Sequence, residues 1–388
     1  MWPFTKSPRY LPKPEGKFVT GCTDVMLNYS EDGLFMRLYY PTKASQQEET
    51  QWIPWLQDNA YLEGMAKAIY VKPILLQFLK WYSRGDTTYL PTRYGEKVNT
   101  DNKLKCIILS HGYASSRFLI SVVCNELASR GYLIAAIEHK DRSAGYTYYY
   151  KTKEDVQNDK KTPINVKHIK LGAGHYEGRN SQVQIRADEC CKLLDFLIGL
   201  NNGEVPYNVL DDLNKNFNFN LADLVGQLDL DSFTMAGHSF GGATTLLAMS
   251  RRHEFKQGIL LDPWMFPIKQ EAIVEKVTQP LLFINTQTFQ ISTNITAMEK
   301  FLTNDQTEIY TLMSTTHENQ TDTVLVFGYW LNWFMRKLDP HLALKLNNAL
   351  ILRFLKQHTH DPGNIDDLEM FLDAEKVNVV AGLPKPWA

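Results

Sequence analysis

The sequence predicts an α/β protein whose mostly parallel, doubly wound central sheet is flanked by helices. From about residue 104 onward, short apolar runs alternate with longer amphipathic runs, which is typical of βαβ units. A glycine-rich turn, Gly237 to Gly242, joins one apolar run directly to a helical run. Because such crossovers are right-handed, we expect helices on both faces of an open sheet. Apolar residues make up 44% of the chain and charged residues 22%, which is the composition of a globular protein.

The individual elements follow from the spacing of apolar residues. Short apolar runs predict strands at 104–109, 132–137, 233–236, 258–261 and 281–285, with 308–313 as one more. Longer runs with apolar residues three or four apart predict helices at 118–129, 181–200 and 243–251. Residues 151–161, rich in Lys and Asp, are expected to be a solvated excursion. We expect a single domain over 1–388, with its core at about 20–360 and peripheral tails at 1–19 and 364–388.

The charge and cysteine patterns exclude several classes of protein. The 41 basic and 43 acidic residues give a net charge of −2, whereas a nucleic-acid binder needs a cationic excess. The 5 cysteines are odd in number and have no metal-ligand spacing, so we expect free thiols in a reducing compartment. There is no G-x-G-x-x-G motif or P-loop. We therefore expect no cofactor, no metal and no nucleic-acid partner.

The compartment is predicted less directly. The first residues lack the apolar stretch of a secretory signal. The densest apolar run, 324–335, contains Asn332 and is shorter than the roughly 18 residues of a membrane span. We expect a cytoplasmic protein that is not integral to a membrane but is peripheral at one. Glycosylation-type triplets at Asn28, Asn294 and Asn319 leave secretion open.

The strongest chemical signal is the segment Gly237-His238-Ser239-Phe240-Gly241-Gly242. It is a G-x-S-x-G pattern between a predicted strand and a predicted helix, which is the setting of a nucleophile elbow. The serine of such a turn has a strained backbone, and side chains two positions away on either side would clash. Ser239 is therefore the predicted nucleophile. The alternative is an ordinary Gly/Ser turn that leads into a helix.

A serine nucleophile needs a base, and the base needs a carboxylate that orients it. In this type of fold the partners follow the serine in the order acid, then histidine, at strand ends. Asp262 ends the apolar run 258–261 and is the predicted acid, although it would also suit a turn before Pro263. Of the five histidines after Ser239, His317 follows a predicted strand in a polar turn and is the predicted base. His360 is the second candidate.

An oxyanion hole needs backbone N–H donors at the same end of the sheet. Ser110-His111-Gly112-Tyr113 follows the first predicted strand and resembles the H-G loop of esterases. The expected donors are the amides of Tyr113 and Phe240. A plain strand-to-helix turn is the alternative for His111 and Gly112.

Two further segments combine aromatic and cationic residues, as interfacial helices do. One predicted helix carries Ile74, Leu75, Phe78, Leu79 and Tyr82 on one face, with Lys72 and Lys80 nearby. The other segment carries Trp330, Trp333 and Phe334, followed by Arg336 and Lys337. Ordinary packing of these helices against the sheet is the alternative.

Several of these motifs together resemble the platelet-activating factor acetylhydrolases of the monomeric α/β-hydrolase type, plasma and intracellular type II. The similarity rests on 237–242 and on Leu261-Asp262-Pro263-Trp264-Met265-Phe266-Pro267, and runs from about 20 to 360. Further matching blocks are Val25-Met26, Trp52-Ile53-Pro54, 126–131, 135–144 and 280–285.

The resemblance implies an α/β-hydrolase fold and a serine-dependent, calcium-independent phospholipase A2. Such an enzyme cleaves short or oxidised sn-2 acyl groups from platelet-activating factor and related phospholipids. It implies Ser239, Asp262 and His317 as the triad, with oxyanion amides at Tyr113 and Phe240. It also implies that 72–82 and 326–337 contact a membrane or lipoprotein surface, through Ile74, Leu75, Phe78, Leu79, Trp330, Trp333 and Phe334. We expect His111, Gly112, Trp264 and Phe266 to line the substrate pocket.

The sequence departs from the family pattern at two places. Tyr113-Ala114 stands where the family usually has Leu-Gly, which can reshape the acyl pocket. Glu318 replaces the glutamine that usually follows the histidine, and a carboxylate close to His317 would raise the pKa of that histidine. Two other functions stay open: a general carboxylesterase acting on soluble short-chain esters, and an inactive α/β-hydrolase that serves as a lipid-binding module.

Overall fold

An eleven-stranded sheet forms the centre of the molecule, and a separate two-stranded sheet lies beside it. The computed structural model describes residues 10–45, 49–84, 87–213, 217–329, 336–359 and 363–384. The strands are β1 (Thr20–Met26), β2 (Phe35–Pro41), β3 (Trp52–Pro54), β4 (Tyr89–Tyr94), β5 (Leu104–Ser110), β6 (Tyr132–Ile137), β7 (Tyr146–Tyr149), β8 (Thr162–Asn165), β9 (Leu228–His238), β10 (Gln257–Leu261), β11 (Leu281–Thr286), β12 (Thr307–Leu312) and β13 (Val379–Ala381). The α-helices are α1 (Asn59–Ala68), α2 (Pro73–Arg84), α3 (Ser121–Ser129), α4 (Lys153–Gln157), α5 (His175–Asn201), α6 (Phe240–Met249), α7 (Ser292–Glu299), α8 (Thr323–Phe327), α9 (Pro340–Thr359) and α10 (Asp366–Ala374).

The order of strands in the large sheet is β13-β12-β11-β10-β9-β5-β6-β2-β1-β4-β3. The six strands from β12 to β6 are all parallel to their neighbours. Antiparallel pairs occur between β6 and β2, β2 and β1, β4 and β3, and β12 and β13. The predicted mostly parallel sheet with flanking helices is confirmed. Its parallel strands bring the carboxyl ends of β5, β9, β10, β11 and β12 to one edge.

The sheet separates two hydrophobic cores, because successive side chains of a strand point to opposite faces. In β5, Ile107 and Leu109 belong to one core, whereas Cys106 and Ile108 belong to the other. Apolar residues of α3 and α9 complete the first core, and those of α5 and α6 complete the second. The interior strands are buried on both faces, which explains why they read in the sequence as continuous apolar runs.

The structure differs from the prediction at both ends of the chain. The strands β1 to β4 were not predicted, because polar residues such as Thr23, Asp24 and Arg37 interrupt their apolar residues. The prediction of a peripheral tail from residue 364 is wrong for most of that segment. Leu368 and Leu372 of α10 are buried, and β13 pairs with β12 as an edge strand of the sheet. In the N-terminal segment Leu11 is buried, and its amide donates to the Tyr89 carbonyl at 2.8 Å.

Among the helices in the described ranges, none is both long enough and apolar enough to cross a membrane.

Candidate active site

Ser239 lies at a sharp turn between β9 and α6, with backbone angles φ 56° and ψ −114°. This conformation is unfavourable for a non-glycine residue and is held by the surrounding packing. A Cβ atom on Gly237 would lie 2.1 Å from the Gly241 carbonyl oxygen, and one on Gly241 would lie 2.0 Å from the Ser110 carbonyl oxygen. Only glycine fits at these two positions, so the G-x-S-x-G pattern is a packing requirement of the turn.

Asp262 and His317 meet at the same edge of the sheet. Asp262 follows β10 and is buried, and its carboxylate accepts a hydrogen bond from His317 Nδ1 at 3.0 Å. The Thr286 amide donates to the other carboxylate oxygen at 2.6 Å, and the Thr286 hydroxyl also bonds to Asp262. Since an ionised carboxylate only accepts, the proton lies on Nδ1 and His317 Nε2 is left as an acceptor.

Two rings stack on the imidazole of His317. The centroid of His238 lies 4.5 Å away with an interplanar angle of 30°, and that of Phe289 lies 3.8 Å away with an angle of 18°. At such short distances, the rings of His238 and Phe289 must lie on opposite faces of the His317 imidazole. Burial, and secondarily the charge of His317, lower the pKa of His238 well below its ordinary value. The imidazole of His317 is therefore held between two uncharged rings near neutral pH.

The loop after β5 packs directly against Ser239. A Cβ atom on Gly112 would lie 3.1 Å from His238 Nδ1 and 3.2 Å from Ser239 Cβ. The Gly112 carbonyl accepts hydrogen bonds from His111 Nδ1 at 2.8 Å and from Arg186 Nη2 at 3.4 Å. In a planar trans peptide the next N–H points the opposite way. The amide of Tyr113 therefore faces away from Arg186.

The two amides expected in the oxyanion hole have a further property in common. Neither Tyr113 nor Phe240 donates its backbone N–H to an acceptor within the described part of the chain. Phe240 is the first residue of α6, where helical amides have no partner inside the helix. Both amides are thus free to donate to a ligand.

The side chains predicted to line the pocket divide into two groups. Trp264 and Phe266 are partly exposed and stack on each other, and the Trp264 amide donates to the Ser239 carbonyl at 2.8 Å. His111 differs from these two residues because its ring is buried, and the expectation that it lines the pocket stays a prediction. His111 Nε2 accepts from the His139 amide at 3.2 Å, so its ring supports the loop from behind.

The remaining predicted residues are exposed, partly exposed or outside the described ranges. Glu318 is exposed and forms no ion pair with His317 within the described ranges. Ile74, Leu75 and Phe78 of α2 are exposed, whereas Leu79 is only partly exposed and packs against the core. Trp330, Trp333, Phe334 and His360 lie outside the described residues.

The structure adds residues that the sequence did not single out. These are Thr286 at the end of β11, Phe289 in the turn that follows it, and Arg186 and His139 beneath the Gly112 loop. Only Thr286 has a usable sequence signal, since it ends a parallel strand at the edge where Asp262 lies. Within the described ranges, no three His, Cys, Asp or Glu side chains come together in a way that could hold a metal ion.

The sheet and its elbow define the class of protein, the α/β-hydrolases. A ferulic acid esterase from Streptomyces cinnamoneus superimposes with a TM-score of 0.65 at 17% sequence identity, covering 97% of this chain and 99% of the esterase. At that identity the likeness shows the fold alone.

The sequence comparisons show the family. The family model described as platelet-activating factor acetylhydrolase, isoform II, matches residues 4–378, and the chain belongs to this family. It is 33% identical to the platelet-activating factor acetylhydrolase of Bos taurus over 377 residues, covering 96% of this chain and 82% of the relative. The protein of the same name from Canis lupus familiaris is 33% identical over 376 residues, with the same coverage.

Proposed function

We propose that this chain is a serine esterase that hydrolyses the sn-2 ester of platelet-activating factor and related phospholipids. The observation that carries the proposal is the hydrogen bond from His317 Nδ1 to Asp262, made beside the strained elbow of Ser239. Membership of the acetylhydrolase family and the names of the relatives support the choice of substrate.

The proposed reaction is acyl transfer in two steps. His317 Nε2 removes the proton of the Ser239 hydroxyl while the oxygen attacks the ester carbonyl carbon. The amides of Tyr113 and Phe240 stabilise the negative oxygen of the tetrahedral intermediate. The C–O bond to the glycerol then breaks, and His317 returns the proton to the departing lyso-phospholipid. Water, activated by the same histidine, releases the acyl group as a carboxylic acid and regenerates Ser239.

Every proton and charge in this scheme is handled by side chains and amides of the chain itself. We therefore propose that hydrolysis does not depend on calcium. Hydrolysis of sn-2 acetyl phospholipid is expected to proceed at the same rate with and without EDTA. A rate that collapses in EDTA and returns with calcium would contradict this part of the proposal.

The direct kinetic test replaces the proposed nucleophile. Ser239→Ala is expected to reduce kcat for an sn-2 acetyl phospholipid by about 10⁴-fold or more, because triad members act as a unit. Ser250→Ala, at the other end of α6, is the matched control and should retain wild-type activity. Substantial activity in Ser239→Ala would overturn the proposed mechanism.

We further propose that α2 contacts the lipid surface. Its exposed side chains include Ile74 at 71%, Phe78 at 53%, Trp81 at 55% and Tyr82 at 61% exposure. Exposed apolar residues over about two helical turns are typical of an interfacial helix rather than of a surface that faces water. This surface favours a lipid substrate over soluble short-chain esters.

Vesicle binding tests the role of α2. The double substitution of Phe78 and Trp81 by Ser should weaken co-sedimentation with phosphatidylcholine vesicles and lower activity on vesicles, while hydrolysis of monomeric esters stays unchanged. The matched control replaces Met370 and Val377, which are 66% and 76% exposed on the C-terminal segment, by Ser. Equal losses in both double variants would contradict the assignment of α2.

A further inference from the structure

Arg179 is a buried cation without an anionic partner. It lies on α5 with 6% of its surface exposed, and its Nη1 donates to the Gln182 side-chain oxygen at 2.9 Å. Its Nε is buried and has no hydrogen-bond partner. No carboxylate of the described residues lies within 4.0 Å of its guanidinium.

The other buried arginines of the described ranges are different. Arg186, two turns further along α5, is held by the Asp141 carboxylate at 3.0 Å. Arg37 contacts Asp24 at 2.7 Å, and Arg117 contacts both Asp24 and Glu138. An unpaired buried charge is costly, so an anion brought by a ligand would stabilise this cation.

The position of Arg179 connects it to the proposed active site. Its guanidinium carbon lies 4.4 Å from the ring centroid of Tyr113 and 5.7 Å from that of Trp264. Tyr113 follows Gly112, which packs against Ser239, and Trp264 donates its amide to the Ser239 carbonyl. Both rings are partly exposed. The guanidinium of Arg179 is therefore covered by the two partly exposed rings that lie next to Ser239.

The surrounding rings favour an anion over a quaternary ammonium group. Lys269 lies over the rings of Phe266 and Tyr176, at 4.7 and 4.9 Å. Phe266 stacks on Trp264, which already faces Arg179. Since these aromatic faces hold cations of the protein itself, a second cation would be repelled and an oxyanion attracted.

We propose that Arg179 is a specificity-determining residue that binds an anionic oxygen of the substrate. The inference rests on the proposed function, because the anion must be attached to the ester that Ser239 attacks. Two substrate groups have this chemistry: the phosphodiester, which is a few bonds from the sn-2 ester, and a carboxylate at the end of an oxidised sn-2 chain. Both would take charge-assisted hydrogen bonds from the guanidinium.

The test uses Arg179→Gln and three monomeric esters that differ in whether they carry an anionic group and where it is attached. The first is a short-chain sn-2 acetyl glycerophosphocholine, the second its uncharged glycerol ether analogue, and the third that analogue with a carboxylate at the end of the sn-2 chain. The kcat/KM for an anionic ester should fall about 10- to 100-fold, the range expected for losing a charged hydrogen bond. The uncharged ester should be affected less than about threefold.

The pattern of losses decides between the sources of the anion. A loss confined to the phosphocholine ester assigns the phosphodiester, and a loss confined to the third ester assigns the carboxylate. Lys269→Gln, which removes an exposed charge from the same aromatic cluster, should have a much smaller effect, and Arg179→Lys should restore part of the lost activity. Equal losses on all three esters, or no loss, would overturn the proposal.

Two measurements separate this proposal from the proposed function. Hydrolysis of p-nitrophenyl acetate and organophosphate labelling report Ser239 without any substrate anion, and both should survive in Arg179→Gln. If that variant does not fold, the wild-type enzyme still gives an answer. Glycerophosphocholine or glutarate should inhibit p-nitrophenyl acetate hydrolysis competitively, whereas glycerol should not. If neither glycerophosphocholine nor glutarate inhibits, the proposal is overturned.

Discussion

At the scale of single residues, the proposed chemistry depends on one tautomer and one orientation of His317. Asp262 fixes the proton on Nδ1 at a distance of 3.0 Å, and Thr286 holds the carboxylate in turn. The stacked rings of His238 and Phe289 prevent the imidazole from tilting. The base is thus oriented by hydrogen bonds in its plane and by packing on its faces.

Replacing the carboxylate by an amide tests this arrangement. Asp262→Asn is expected to lower kcat by about 10³- to 10⁴-fold, because the amide can donate to Nδ1 and so favour the wrong tautomer. KM for the same acetyl ester should change little. Steady-state kinetics give both constants, and Asp231→Asn, on the exposed start of β9, is the control. A decrease in kcat of less than tenfold would show that Asp262 does not orient the base.

At the scale of elements, α5 and β5 together position the Gly112 loop. Arg186 of α5 donates to the carbonyls of His111, at 2.6 Å, and of Gly112. Asp141 holds Arg186 from the other side at 3.0 Å. These contacts turn the Gly112 carbonyl inward, so the Tyr113 amide is oriented before a substrate arrives.

His111 offers the most direct test of this preorganisation. His111→Leu removes the donor to the Gly112 carbonyl and is expected to reduce kcat about 10- to 100-fold with KM nearly unchanged, as for a weakened oxyanion hole. His111→Asn, whose amide nitrogen can reach the same carbonyl, should retain most activity. Affinity for a trifluoromethyl ketone, which mimics the tetrahedral intermediate, should fall in parallel with kcat. A rise in KM alone would instead indicate a lost substrate contact.

An element of this fold can be predicted from the sequence where its own residues form a recognisable pattern. The elbow of Ser239, the strand end at Asp262 and the turn at His317 are each local patterns, and their order along the chain is diagnostic. Strand β1 has no such pattern, because its buried Asp24 is stabilised by Arg37 on the neighbouring strand β2 and by Arg117 from a distant segment.

Contacts with distant segments also explain why the sequence did not single out several residues of the site. Arg179 and Arg186 are charged residues on a helix, which in sequence look like a solvated face. Phe289 looks like an ordinary apolar residue in a loop. The contacts of the His111 ring with the backbone were missed for a related reason, since only the structure shows that this ring is buried.

At the scale of the whole molecule, a single carboxylate joins segments that are far apart in the chain. Asp322 accepts hydrogen bonds from the Trp55 indole at 2.9 Å and from the amides of Ser121 and Val122 at 2.9 and 3.1 Å. It thereby connects β3, the start of α3 and the segment that follows His317. Burial raises the pKa of Asp322 from its ordinary 3.8 to about 6, although these hydrogen bonds oppose the shift.

This shift predicts how the free energy of unfolding depends on pH. A carboxyl whose pKa is raised by folding stabilises the folded state fully below about pH 4, and this contribution is lost as the pH rises through about 6. The free energy of unfolding of the wild type, minus that of Asp322→Asn, should therefore fall by about 1–3 kcal/mol between pH 4 and pH 7. Urea denaturation at several pH values measures it, with Asp305→Asn as the exposed control. A difference that is constant or rises with pH would contradict the prediction.

We propose Ser239 as the nucleophile of an esterase that acts on phospholipids. Mapping the site of organophosphate attachment on the wild-type chain by peptide mass spectrometry tests it most directly, with and without sn-2 acetyl phospholipid as competitor. We expect one adduct, on the peptide containing Ser239, whose formation the phospholipid slows. An adduct on another residue, or labelling at Ser239 that the phospholipid does not affect, would contradict it.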